Sequence, residues 1–171
     1  MELTDGVVIL RPFAEADAPA VARACDDPET ARFIPLLPSP YSEADALEYI
    51  GSVRGDEGRR ARAVVDARTG ELLGAIDLRL GERGSIGYWI APWARGQGVA
   101  TRALVLLARW AVTEAGVERL ELTTHPANAA SQRVAEKAGF TREGVLRDHM
   151  RYRDGGRRDS VMFSLLPRDV R

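Results

Sequence analysis

"APWARGQGVATRALVLLARW" (91–110) decides how the chain is read, because its period changes within a few residues. Up to Pro92 the letters continue a strand. From Ala100 onward, Ala103, Leu104, Leu107, Ala108 and Ala111 recur at three- and four-residue spacing, which makes one apolar helix face. Between the two lies "RGQG" (95–98), a loop almost bare of side chains. The first N–H groups of a helix have no partner inside it, and the helix dipole adds partial positive charge there. Gly96 and Gly98 leave those donors uncovered and Arg95 adds charge, so the junction can cradle an anion, with a diphosphate as the natural guest. A tight turn that needs glycine for positive φ is the simpler reading of the same letters. Glycine spacing alone does not separate the two.

On one side of this junction, "ARAVVDA" (61–67), "LLGAIDLRL" (72–80) and "SIGYWIA" (85–91) are short runs joined by glycine turns, the pattern of an antiparallel meander. On the other, Gly116 ends the helix and "VERLELTT" (117–124) is a further strand. Residues 86–124 therefore form a β-α-β unit, with a parallel pair and a right-handed crossover expected. Asn128 caps a second helix, whose Val134, Ala135 and Ala138 face inward, and Gly139 stops it. A closing hairpin runs through "FTREGVLRDHMRYR", "DGG" and "RRDSVMFSLL" (140–166). At the front, "VVILRPF" (7–13) reads as a strand, followed by a helix around 17–25. Pro28 and "PLLPSP" (35–40) interrupt helix formation, and Ser42 caps a helix over about 43–54. The expected class is α/β, one mixed central sheet with helices around it.

The 171 residues, 45% hydrophobic and 29% charged, fit a single soluble domain spanning 1–171. Charge is balanced, 24 Lys+Arg against 25 Asp+Glu, which argues against a dedicated nucleic-acid binder. One cysteine, Cys25, excludes an internal disulfide and a cysteine-rich metal site, and no metal is expected. The N-terminus lacks a signal-peptide pattern, and no run approaches the ~18 apolar residues of a membrane span. A cytoplasmic protein without a membrane partner, monomeric or homodimeric, is expected.

Two phosphate-loop readings can be tested on the letters. A P-loop ends in glycine-lysine-Ser/Thr, and this loop has no lysine. The dinucleotide fingerprint G-x-G-x-x-G would put its third glycine at Thr101, and it normally follows a strand of an all-parallel sheet rather than a meander.

"ARGQGVA" matches the Q/R-x-x-G-x-G/A signature of the GNAT family of N-acetyltransferases, with Arg95, Gly98 and Ala100 in the defining places. The context, "IGYWIAP" before it and "HPANAASQRVAEKAGFTREG" after it, resembles the RimJ/RimL branch, which acetylates protein N-terminal amines. The resemblance implies the GNAT fold: about seven strands, helices on both faces, and a cleft between two splayed parallel strands, here 85–91 and 117–124. It implies acetyl-CoA as cosubstrate, its pyrophosphate on the backbone of Arg95, Gly96, Gln97, Gly98, Val99, Ala100 and Thr101. Its pantetheine arm would lie along the strand edge near Ile90 and Ala91, where the Ile90 N–H is the family's usual oxyanion donor. Asn128 and Lys137 complete the implied cofactor contacts.

The position where much of the family carries a thiolate-protonating tyrosine is Ala135 here. The branch instead uses the serine of Asn-x-x-Ser, which is Ser131. The base is less defined: the branch position that can hold glutamate is Met150, His149, Asp148 and Glu143 lie nearby, and His149 is the expected catalytic residue, with His125 a further candidate. Phe33, Leu36, Leu37 and Tyr41, on two helices split by prolines, are expected to wall the acceptor side, and Tyr88 to touch substrate. The acceptor is expected to be a protein N-terminal amine. A small-molecule amine (polyamine, amino acid or antibiotic) and a non-catalytic acyl-CoA module stay open as alternatives.

Overall fold

The computed structural model describes residues 1–81 and 83–170. A two-residue strand, β1 (Leu3–Thr4), precedes β2 (Val8–Arg11), and helices α1 (Ala18–Cys25), α2 (Pro28–Phe33) and α3 (Glu43–Arg54) follow. The meander is β3 (Arg59–Asp66), β4 (Leu72–Arg79) and β5 (Gly84–Ile90). Then come α4 (Val99–Thr113), β6 (Leu120–Thr124), α5 (Ala129–Lys137), β7 (Thr141–Arg151) and β8 (Arg157–Leu165). One eight-stranded sheet has the order β1-β2-β3-β4-β5-β6-β8-β7, antiparallel throughout except for the β5–β6 pair.

The count exceeds the expected seven because of β1, which is too short to show a period. Thr4 Oγ1 pins it by donating to the Val8 carbonyl at 2.8 Å. A second difference is Pro28, which opens α2 instead of interrupting a helix. At the first helical position the missing proline N–H would have had no partner anyway. The Asp27 carboxylate caps this helix, accepting from the Thr30 N–H at 2.8 Å. Ser42 caps α3 as expected, with Asp45 completing a capping box.

Strand alternation divides the core in two. Ile76, Leu78, Ile86, Leu120 and Phe163 face α4, which presents Ala103, Leu104, Leu107 and Ala111. Ala63, Val65 and Ala75 face the opposite way, onto Val21 of α1 and Ile50 of α3. Helices thus cover both faces, and β5 lies inside the sheet with one neighbour on each side. Gly74 of β4 sits opposite Ile90, where an added Cβ would come within 2.4 Å of the Trp89 carbonyl oxygen, so a side chain there would push β5 off its path.

Candidate active site

The cleft begins where two strands part. β5 and β6 pair only over Gly84↔Leu120, Ser85↔Glu121 and Ile86↔Leu122, although β5 runs on to Ile90 and β6 to Thr124. The Gly84 N–H donates to the Arg119 carbonyl at 2.9 Å, so even-numbered amides of β5 point toward β6. Odd-numbered ones point to β4, as the Ala91 N–H does in reaching the Leu73 carbonyl. By this alternation the N–H and C=O groups of Tyr88 and Ile90 face the opening, ready to pair with an extended ligand as an added strand.

The opening leads to the start of α4. Gly96 and Gly98 adopt φ values of +74° and +77°, so the tight-turn reading of these glycines holds. The anion-cradle reading fits as well. Gly98 caps α4 without any side-chain hydrogen bond, and nothing lies within 4 Å of where either glycine's Cβ would stand. The first N–H groups of a 15-residue helix thus face open space. Gly96, Gly98, Val99, Ala100 and Thr101 line the cleft, together with Ile90, Asn128, Ser131 and Lys137. Arg133 also lines it; sequence reasoning passed over this residue, whose place on an exposed helix turn carries no distinguishing pattern.

Arg95 lines the cleft but does not bring free charge to the loop. Its guanidinium is 2.5 Å from Asp27, 3.2 Å from Glu29 and 2.8 Å from Thr30 Oγ1. Burial opposes ionisation of Asp27, yet Arg95 and the bonds from Thr30 hold its carboxyl below the usual range. Arg95 therefore ties α2 to the glycine loop. The Gln97 side chain folds back, donating to the Trp93 carbonyl at 2.9 Å, and neither Gln97 nor Ala91 lines the cleft.

Ser131 stands in the first turn of α5, its N–H donated to the Asn128 cap oxygen at 3.0 Å. Its Oγ lies 2.8 Å from the phenol oxygen of Tyr88, which reaches across from β5. Burial pushes the Tyr88 phenol up to about 12, against the hydrogen bond to Ser131, so it stays protonated at neutral pH.

The cleft, about 790 Å³, passes through the gap in the sheet and is lined on both faces. On the α1–α3 side its wall is Phe33, Ile34, Pro35, Leu37, Tyr41 and Trp89, with Gly87 leaving open floor. Leu36 does not join this wall: with φ +65° it turns outward and is 66% exposed, while Pro35 and Leu37 take the inward places. Asp77 and Arg59, joined at 2.6 Å, also line this side. They escaped sequence reading because a charged pair across two strands leaves no local signature.

The structure brings His125 and Met150 into the lining and leaves His149 outside it. His149 Nδ1 is 3.1 Å from Ser160 Oγ on the neighbouring strand. His125 packs between the rings of Phe33 and Tyr152, at 5.7 and 6.1 Å between centroids. Burial, then Arg158 and Arg32, lower its pKa. Its Nδ1 accepts the Ala127 N–H at 3.0 Å, which leaves the neutral ring's proton on Nε2 and makes that edge a donor rather than a base. Glu143 is committed elsewhere: Arg119 and Ser164 bind it and bring its carboxyl down to about 2. Among the described residues no group of three or more His, Cys, Asp or Glu could hold a metal ion.

The model of the acetyltransferase (GNAT) domain matches residues 8–141. The chain belongs to the GNAT N-acetyltransferase family. It is 28% identical over 167 residues to the uncharacterized N-acetyltransferase p20 of Bacillus licheniformis, covering 94% of this chain and 93% of that one. It is 36% identical over 104 residues to a Bacillus subtilis protein provisionally named as the ribosomal N-acetyltransferase YdaF, covering 58% of this chain and 56% of the other. Mycobacterium smegmatis RimJ, solved in complex with CoA-disulfide, superposes with a TM-score of 0.86 at 25% identity, over 99% of this GNAT chain and 88% of its own. No described helix of this family member is long and apolar enough to cross a membrane.

Proposed function

We propose that the whole chain acts as one catalytic domain that moves an acetyl group from acetyl-CoA to a primary amine by direct attack in a ternary complex, with a protein or peptide N-terminal amine as acceptor. The observation that carries this reading is the early end of the β5–β6 ladder at Ile86↔Leu122, beside a helix start that no side chain caps. The open edge of Ile90 suits the pantetheine arm, and the N–H groups from Gly96 to Thr101 suit the pyrophosphate, with Asn128 and Lys137 bordering the arm's path.

A cleft open on both faces of the sheet lets the two substrates approach from opposite sides and meet in the gap, which supplies most of what this reaction needs from a protein. The Ile90 N–H, which faces the opening, suits stabilisation of the developing oxyanion. An α-amine titrates near pH 8, so part of it is already the neutral nucleophile at neutral pH, and its surplus proton can leave to solvent. As the C–S bond breaks, its electron pair goes to sulfur and Ser131 Oγ supplies a proton. The serine oxygen recovers one from the nitrogen, which sheds a proton on becoming an amide. The apolar wall of Phe33, Leu37 and Tyr41 suits the first side chains of a peptide, and the likeness to YdaF, provisionally named as a ribosomal N-acetyltransferase, supports a protein acceptor.

Two measurements test this. Addition of coenzyme A should raise the unfolding temperature of the intact protein; no shift at millimolar coenzyme A rejects the cradle. A thiol-release screen should then show turnover with peptides bearing a free N-terminus, and turnover confined to polyamines or other small amines would reassign the acceptor.

A further inference from the structure

We infer that Tyr88 is a positioning residue for thiol release: from the opposite wall of the cleft its phenol holds Ser131 Oγ so that the serine's own proton is left free for the departing sulfur. This rests on the acyl-transfer reading above.

Ser131 has one hydroxyl proton, and an unrestrained serine in a helix's first turn can turn its hydroxyl toward a nearby backbone carbonyl instead. Here the residue is fixed at both ends. Its N–H is held by Asn128 at 3.0 Å, and its Oγ lies 2.8 Å from the Tyr88 phenol. Tyr88 is two residues beyond Ile86, the last β5 residue laddered to β6, so its side chain meets α5 where the strands have already parted.

Either oxygen of this pair can donate, and we assign the proton of the short bond to the phenol. Tyr88 has one proton and two acceptors in reach, Ser131 Oγ at 2.8 Å and the Ser131 carbonyl at the longer 3.4 Å. The short bond from phenol to Oγ occupies a serine lone pair and leaves the serine O–H unspent. The chain phenol to serine to sulfur then polarises one way. α5 itself offers no phenol: Ala135 stands one turn further on, fully buried beneath the helix. Tyr88 brings that phenol from β5. The proton passed to sulfur is Ser131's, and the nitrogen's proton restores it, so the phenol acts without ionising.

The test uses the full chain, acetyl-CoA and an amine identified by thiol release. Y88F should lower kcat about tenfold, leaving the KM for acetyl-CoA and the coenzyme-induced thermal shift unchanged, since a positioning group contributes less than the ~100-fold or more of a general acid. S131A should lose about a hundredfold, and the double variant should be no slower than S131A, because a held group is worthless once the group it holds is gone. Wild-type turnover by Y88F, or losses that multiply in the double variant, would overturn the inference. So would loss of the coenzyme-induced shift in Y88F, which would mark Tyr88 as a tie across the cleft. Where the acceptor is poor, the slow transfer of acetyl to water has the same leaving group and reads the same pair. A wild-type protein that binds coenzyme A yet releases thiol to neither amine nor water overturns the acyl-transfer reading instead.

Discussion

The two sides of the cleft are built on different plans. The α4 side is mostly backbone: the edge of β5 at Tyr88 and Ile90, two glycines of positive φ, and the bare start of one helix, all within residues 88–101. The α1–α3 side is mostly side chains, collected from α2 (Phe33), the loop after it (Leu37 and Tyr41), the end of β6 (His125) and the closing hairpin (Met150). On the proposed reading, the backbone side would recognise what every acyl-CoA shares, and few substitutions could retune it. A wall of side chains can change its acceptor one residue at a time.

The largest effect expected from breaking this contrast is at Gly98. Gly98→Val forces a β-branched residue to φ +77° and covers the helix N–H groups. The strain should cost about 1–3 kcal/mol of stability, and the covered N–H groups should weaken coenzyme A binding about a hundredfold, read by titration calorimetry. Phe33→Ala should act on the other side only, raising the acceptor KM roughly tenfold while the coenzyme affinity stays put, as for truncating one half-buried aromatic anchor. If Phe33→Ala weakened coenzyme binding equally, the division into two sides would fail.

Arg95→Ala sharpens the comparison, because Arg95 is shared by both sides. With its charge spent on Asp27 and Glu29, removal should cost about 1 kcal/mol of stability and about 2–4 °C in melting temperature, with little loss of coenzyme affinity. The pH dependence has a definite sign. Asp27 has a lowered folded pKa, so the pair's contribution is complete above the ordinary value of 3.8 and is lost as pH falls through the lowered one. Wild type and Arg95→Ala should therefore converge in stability as acid titrates Asp27. The smallest effect is expected at Leu36, whose exposed side chain makes Leu36→Asp neutral to within about 0.5 kcal/mol and silent for the acceptor KM.

The same contrast explains what the sequence makes legible. The glycine turn and the helix start at "RGQG" are legible because their parts are consecutive, and a change from strand to helix period marks the junction. The meander, the crossover and the caps at Ser42 and Asn128 were legible for the same reason: each is a local preference of a few residues. Pro28 misled because the same residue that breaks a helix interior opens a helix at its first turn, and Asp27 made it the latter. Leu36 and Leu37 could not be told apart, since one left-handed residue reverses which of two adjacent leucines faces inward.

By itself, then, the sequence determined the order of elements, the two amphipathic helices over the sheet and the glycine junction, because hydrophobic period, capping and φ preference act over short distances along the chain. Tertiary structure alone decided the partnerships: Arg95 with the cap of α2, Asp77 with Arg59, His125 between Phe33 and Tyr152, and Tyr88 with Ser131, 43 residues apart. Those contacts depend on strand order and on where the β5–β6 ladder stops, and neither is fixed until the sheet has closed around both cores.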